Sequence, residues 1–182
     1  LQKLIYFHRH GQTAHSARNS GYGNNQHQSM LTSRGIQEAD LLGQELVKHG
    51  PFDLYLTSPM PRAVQTATIV QRNLGEVELS GEPALTEPVN EQPKEVWKRV
   101  TKLVQDLEKS QNHRILLSTH GYIFYCLVTY YRGLELNELK NFTNPPTGAY
   151  AWVELLDGNV IRSAWECKAH LAVLDKPAMA II

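Results

Sequence analysis

The chain carries no excess of either charge: 18 Lys and Arg balance 18 Asp and Glu over 182 residues. No global field is therefore available to recruit nucleic acid or a membrane surface, and any anion recognition must be local. Cysteine is scarce as well. Cys126 and Cys167 have neither metal-ligand spacing nor the density of a disulfide-stapled secreted domain, which points to a reducing, cytoplasmic compartment. No run approaches the ~20 apolar residues of a membrane span, and the start of the sequence lacks the long apolar core of a signal peptide. Internal repeats and low-complexity linkers are absent too. With 42% apolar residues the chain can fill one core, and it is too short for two, so residues 1–182 are expected to form a single domain.

Short β-rich runs alternate with segments of helical period, which argues for an α/β fold. Leu4 to Phe7 reads as a buried strand, followed by a polar, aperiodic stretch from Gly11 to Ser33 that is expected to be a long functional loop. Gly35 to His49 has helical spacing and stops at Gly50-Pro51. Leu54 to Thr57 is a second strand. Ser58 is placed as the N-cap, with Pro59 at the first position, of a helix running to about Arg72. Val77 to Leu79 reads as a short strand and Lys94 to Lys109 as a helix with one apolar face. Ile115 to Ser118 is a third clear strand and Tyr122 to Tyr131 its helix. After a turn-rich break, Ala149 to Leu155 and Val160 to Ala164 flank Asp157-Gly158 as a hairpin, so the sheet is expected to be mixed. The tail from Ala169 to Ile182 is apolar and of undetermined type.

Three junctions carry chemistry: Arg9-His10-Gly11 after the first strand, Ser58 to Arg62 after the second, and His120-Gly121 after the third. In an open parallel sheet such carboxyl ends share the edge where ligands bind, so the three should converge. Each contributes a cation or an imidazole and none a carboxylate. The shared pocket should thus be positive within a chain of zero net charge, and a phosphate dianion is its natural guest. Free N–H groups in the first helical turn would add to Arg62. One Arg or His alone is usually a solvated or capping side chain; three junctions together are not explained that way. Arg9 would end a buried strand, where a charge is costly without an anionic partner. His8 is assigned to structure.

Arg9-His10-Gly11-Gln12-Thr13 resembles the RHG(E/Q)T signature of the histidine phosphatase superfamily, which includes phosphoglycerate mutases and many small phosphatases. Leu31 to Ala39 resembles its LTxxGxxQA element, and Ser58 to Ala67 resembles SPxxRAxQTA. Leu85-Thr86-Glu87 fits LxE, and Ser118-Thr119-His120-Gly121 fits the late SHG. Five elements in family order span most of the chain, whereas RHG alone would be weak. The resemblance implies a three-layer sandwich: a mostly parallel mixed sheet with helices on both faces, phosphoglycerate mutase-like. It also implies a phosphomonoester hydrolase with no cofactor and no metal. In it His10 is the nucleophile, Arg9 and Arg62 hold phosphoryl oxygens, and His120 completes the pocket beside Gly121. Glu87 stands where the family keeps its general acid. Elementary chemistry agrees: neighbouring guanidinium charges depress an imidazole pKa from ~6.5 and keep its lone pair available. Two arginine forks can meet the charge of a transferring phosphoryl group. A carboxyl buried beside phosphate stays protonated long enough to serve a leaving alkoxide.

The sequence departs from the family pattern in places. Ser16 stands where an Asn is usual and could still donate one hydrogen bond. His15 replaces a Trp, and Tyr122 follows His120-Gly121 where small or amide residues are frequent. Asn90-Glu91-Gln92 follows Glu87 almost at once where many members carry an insertion, which makes Glu91 the reserve acid. The short chain favours a phosphatase over a mutase-like phosphotransferase. The expected partner is a phosphorylated small molecule, or failing that a phosphoprotein, with no nucleic acid and no membrane; the sequence leaves the oligomeric state open. Two rivals remain. A metallohydrolase could use the His8/His10 pair, which alternation sends to one face, with His15 and His27 nearby. No Asp or Glu precedes Glu38 to complete such a set, and two arginines would repel the ion. A regulatory module could keep the phosphate pocket without turnover.

Overall fold

The computed structural model describes residues 1–20, 23 and 28–175. Six strands form one sheet: β1 (Gln2–Arg9), β2 (Leu54–Thr57), β3 (Leu79–Gly81), β4 (Arg114–Thr119), β5 (Tyr150–Leu156) and β6 (Asn159–Cys167). Their spatial order is β3-β2-β4-β1-β5-β6. The first four of these run parallel, and the hairpin of β5 and β6 continues the sheet antiparallel. Asp157 and Gly158 both have positive φ (48° and 80°), as a two-residue hairpin turn that follows the sheet's twist requires.

Helices cover both faces. α2 (Ser33–Leu46) and α3 (Pro61–Leu74) bury Leu42, Leu46, Ala67 and Val70 against Tyr6, Tyr55 and Leu116 of the sheet. On the other face α4 (Pro93–Lys109) sets Val96, Val100, Leu103, Val104 and Leu107 against the sheet. There α5 (Gly121–Tyr131) is buried along nearly its whole length. The strand side chains Ile5, Phe7, Ile115 and Leu117 point to this second core and their neighbours to the first, the period-two alternation of a sheet covered on both sides. This is the expected α/β sandwich. Among the described residues no helix is long and apolar enough to cross a membrane.

Several boundaries differ from expectation, each for a local reason. The stretch from Gly11 to Ser33 is not one loop. Thr13 caps a four-residue helix, α1 (Ala14–Ala17), and also bridges to Leu31. Residues 21, 22 and 24–27 of that stretch lie outside the described residues. α2 starts at Ser33 because the Thr32 side chain accepts the Gly35 N–H at 3.1 Å. Ser58 is not a helix cap: its N–H is taken by the Ser118 carbonyl at 2.9 Å, so α3 begins with Pro61 as its first residue and Met60 as its cap. The short strand lies at Leu79–Gly81 rather than Val77 to Leu79, and Val77 is a core side chain instead. Ala169–Asp175 forms 3-10 turns, and the rest of the apolar tail, 176–182, lies outside the described residues.

Candidate active site

Register decides what meets at the sheet edge. Arg9 pairs with Thr119 and Thr57 with Ser118, so β1, β2 and β4 end level with one another. The His10 N–H continues the ladder to the Thr119 carbonyl at 2.9 Å. β5 is antiparallel to β1, so its beginning lies at this same edge and delivers the segment from Asn144 to Gly148. The His10 and His120 rings come to 5.2 Å between centroids. Arg62, second residue of α3, is fully buried beside them.

The chain after β1 is fixed by close backbone packing. A Cβ on Gly11 would stand 2.3 Å from the Gly35 carbonyl oxygen, and one on Gly35 would stand 2.1 Å from that of Gln12. Only glycine fits at either position. The Thr66 hydroxyl accepts the Gly11 N–H at 3.0 Å and donates to the Arg62 carbonyl at 2.7 Å, tying the His10 turn to α3. Glu38 accepts the Gln12 N–H at 2.7 Å and pairs with Arg34. Most of the polar residues in the recognised sequence elements are thus struts for one turn.

His10 Nδ1 lies 2.8 Å from its neighbour's carbonyl, Gly11 O, and therefore carries the proton. Its Nε2 lies 3.3 Å from Arg62 Nε, whose N–H points at the lone pair. A second proton there would collide with a guanidinium. Burial, then the charges of Arg9 and Arg62, push the His10 pKa well below the usual imidazole range. His120 is displaced the same way, by burial first and then by His10, Arg62 and Arg9. Its Nε2 is 2.7 Å from the Ser58 hydroxyl, which itself accepts the Met60 N–H and so is free to donate. That leaves the proton of His120 on Nδ1, a buried nitrogen with no hydrogen-bond partner among the described residues.

Arg9 ends β1 as expected and donates from Nη1 to the Pro145 carbonyl. Glu87 lines the same cavity, of about 510 Å³, with Arg9, His10 and Ser16. As a residue Glu87 is partly exposed, but its Oε2 is shut off from solvent and has no hydrogen-bond partner. Burial raises its pKa, opposed by Arg62 and Arg9 and by the Tyr122 N–H it accepts. Ser16 reaches the cavity wall, but its hydroxyl accepts the Thr13 N–H at 2.8 Å and donates to the Thr13 carbonyl at 3.1 Å, capping α1. Gly121 is the first residue of α5, where a Cβ would lie 2.3 Å from Asn144 Oδ1. Glu91 is turned away to Arg99. Tyr122 lines a separate apolar groove with Leu136 and Leu139. His8 is buried and bonds to Tyr55 at 2.8 Å, as a structural residue should. Among the described residues no three His, Cys, Asp or Glu side chains gather as a metal set, and His27 lies outside them.

Sequence reasoning missed Ser58 as the partner of His120, and it missed the segment from Asn144 to Thr147. The first was visible only as a motif serine and the second only as a turn-rich break.

The model of the histidine phosphatase superfamily, branch 1, matches residues 5–90 and 79–167. The chain belongs to this superfamily. A Schizosaccharomyces pombe protein described as a probable phosphatase is 37% identical over 70 residues, 38% of this chain and 32% of that one. The chain thus matches about a third of that relative's length. Among solved structures, the chain superposes on Bacillus stearothermophilus YhfR with a TM-score of 0.79 at 21% identity, covering 93% of this chain and 99% of that one. A phosphoserine phosphatase from Entamoeba histolytica gives 0.77 at 17%, with coverage of 93% and 99%. The alpha-ribazole phosphatase of Shigella flexneri gives 0.75 at 20%, with coverage of 92% and 96%. At such identities the structural likeness speaks for the fold.

Proposed function

We propose that this histidine phosphatase hydrolyses phosphomonoesters of small molecules through a phosphohistidine on His10. The observation that carries the proposal is the His10 ring itself: its proton held on Nδ1 by the Gly11 carbonyl, its Nε2 unprotonated against Arg62, and the residue lining one cavity with Arg9. When a phosphate dianion enters, Arg62 and Arg9 turn their N–H groups to its oxygens, and Nε2 attacks phosphorus. The bond from phosphorus to the ester oxygen breaks, and Glu87 gives its proton to the leaving alkoxide. Because the ring keeps its Nδ1 proton, donated in a hydrogen bond to the Gly11 carbonyl, the phosphorylated ring carries positive charge and is itself a good leaving group. Water then attacks phosphorus from the vacated side, the Glu87 carboxylate takes its proton, the P–N bond breaks and inorganic phosphate departs. His120 donates from Nδ1 to a phosphoryl oxygen throughout, held in that tautomer by Ser58. Guanidinium groups meet the charge of the transferring phosphoryl group, so the route calls for no metal ion. Both cysteines are free, in keeping with a cytoplasmic protein.

Rapid quench with ³²P-labelled substrate tests the route. An acid-labile, base-stable adduct is expected, mapping to His10 and absent in His10→Ala. An adduct on another residue, or turnover by His10→Ala at the native rate, would overturn it. Binding of phosphate without any turnover would mark a regulatory module instead.

A further inference from the structure

The cavity that holds His10 has, besides the charged Arg9 and Glu87, a set of uncharged polar walls. These are Asn19 and Ser20, just after α1, and Asn144 and Thr147 from the segment before β5. Asn19 turns the chain there with φ 51°, in the left-handed region that asparagine tolerates better than most residues. Asn144 is seated by Gly121: the glycine leaves open the space that the carboxamide fills, against the first turn of α5. Three prolines, Pro88, Pro145 and Pro146, stiffen the rim between these side chains.

Charge is distributed unevenly over this surface. Among the described residues Arg9 is the only lysine or arginine lining the cavity, and Glu87 the only acid. Arg99, the next cation beyond Glu87, is closed by the Glu91 carboxylate and by the carbonyls of Ala84 and Thr86. The sequence from Asn19 to Ser33 contains no Lys, Arg, Asp or Glu at all. Among the described lining residues, a second anionic group on a substrate would therefore find no cation besides Arg9, which the reacting phosphate engages, and its desolvation would go uncompensated. Hydroxyl groups would meet carboxamides and hydroxyls, which donate and accept equally well.

We propose that Asn19, Ser20, Asn144 and Thr147 form a leaving-group subsite that selects phosphomonoesters of neutral, hydroxyl-bearing alcohols, of the sugar or polyol class, over esters carrying a second anionic group. This rests on the phosphatase reading above and goes beyond it by naming the substrate class. Selection arises from a pairing denied to the wrong ligand as much as from bonds offered to the right one.

A matched pair of esters tests the subsite: glycerol 3-phosphate and 3-phosphoglycerate differ only in a hydroxymethyl group against a carboxylate. The expected result is a kcat/KM at least about tenfold higher for glycerol 3-phosphate, the range that one unpaired or mispaired polar group commands. Asn144→Arg, which supplies the missing counter-charge, should shrink or reverse that ratio. Equal or better use of 3-phosphoglycerate by the wild-type protein would overturn the inference. p-Nitrophenyl phosphate separates the two layers of argument: if neither it nor either ester is turned over, the phosphatase reading fails. Selectivity is then decided by calorimetric binding of the same two esters to His10→Ala, where tighter binding of 3-phosphoglycerate again overturns it.

Discussion

Glu87 and Glu91 are four residues apart in the segment that joins β3 to α4, and the structure treats them in opposite ways. Glu87 lines the His10 cavity with one carboxylate oxygen sealed from solvent and without a hydrogen-bond partner among the described residues, and burial raises its pKa. Glu91 meets Arg99 with both oxygens, at 2.8 and 2.7 Å, and the hydrogen bonds from that guanidinium hold its carboxyl below the usual range. Arg99 also grips the Ala84 and Thr86 carbonyls at 2.6 and 2.7 Å, so Glu91 helps to anchor the turn that carries Glu87. A proton donor must be able to keep its proton, and of the two carboxyls the one with no direct guanidinium hydrogen bond among the described residues is the one whose pKa is raised. Environment separates the two carboxyls, the pattern by which neighbouring acids come to differ in protonation.

The sharpest way to break this comparison is leaving-group chemistry. Glu87→Gln should lose about 10²- to 10⁴-fold on an alkyl phosphate, whose alkoxide needs a proton as it departs. It should keep most of its activity on p-nitrophenyl phosphate, whose phenolate needs almost none. The wild-type rate on the alkyl ester should fall as pH rises through the elevated Glu87 pKa, and the variant should lack that basic limb. If Glu91→Gln shows this pattern and Glu87→Gln does not, the assignments are reversed.

Arg62→Ala is the next largest effect, roughly 10²-fold in kcat, by analogy with removal of one preorganised oxyanion donor. It also sharpens the contrast, because the Arg62 charge pulls the Glu87 pKa down against burial. Without it the basic limb should move to higher pH. A limb that stays put would mean that Glu87 does not feel this arginine. Vanadate should raise the melting temperature of the wild-type protein more than that of the variant.

Burial acts on bases with the opposite sign. His8 is pushed down to about 3 by burial, and His10 and His120 are lowered in the same direction. All three stay neutral in the fold, whereas in the unfolded chain they take up protons below about 6.5. Their effect on stability is nil above that pH. As pH falls from about 6.5 toward 3, stability should be lost at about 1.4 kcal/mol per pH unit for His8, and His10 and His120 should add to the loss with the same sign. Denaturant titrations at pH 7, 6 and 5 check this; a flat profile would show that the histidines titrate alike in both states.

Glu91→Gln should be the mildest. Its pair with Arg99 is about a quarter exposed (23% and 26%), so roughly 1 kcal/mol of stability and only a few-fold in rate are expected to go. Equal losses on alkyl and nitrophenyl esters would mark it as an anchor, whereas a loss confined to alkyl esters would give it a share in proton transfer.

Much of this site could be read in the sequence because its chemistry sits where local rules apply. Arg9-His10-Gly11 ends an apolar run, His120-Gly121 ends another, and strand ends in parallel sheets converge. The alternation and helical periods that mark β1, β4 and α4 are set by which face must be buried. Other features were hidden for equally physical reasons. Ser58 looked like a helix cap because a serine before prolines often is one, but its backbone still extends the sheet to Ser118, the helix starts only at Pro61, and its hydroxyl meets His120. Nothing near Asn144 in the chain announces a binding wall.

The amino-acid sequence by itself determined the α/β pattern, the order of the recognised elements, and the placement of His10, Arg9 and Arg62 at strand and helix ends that converge. These depend on residue type and on spacing within a strand or helix. Only the tertiary structure decided which glutamate is buried and which is paired, on which nitrogen each histidine carries its proton, and that an antiparallel β5 brings an uncharged wall to a charged cavity. Those outcomes turn on desolvation and on partners distant along the chain, and no local pattern of residues encodes either.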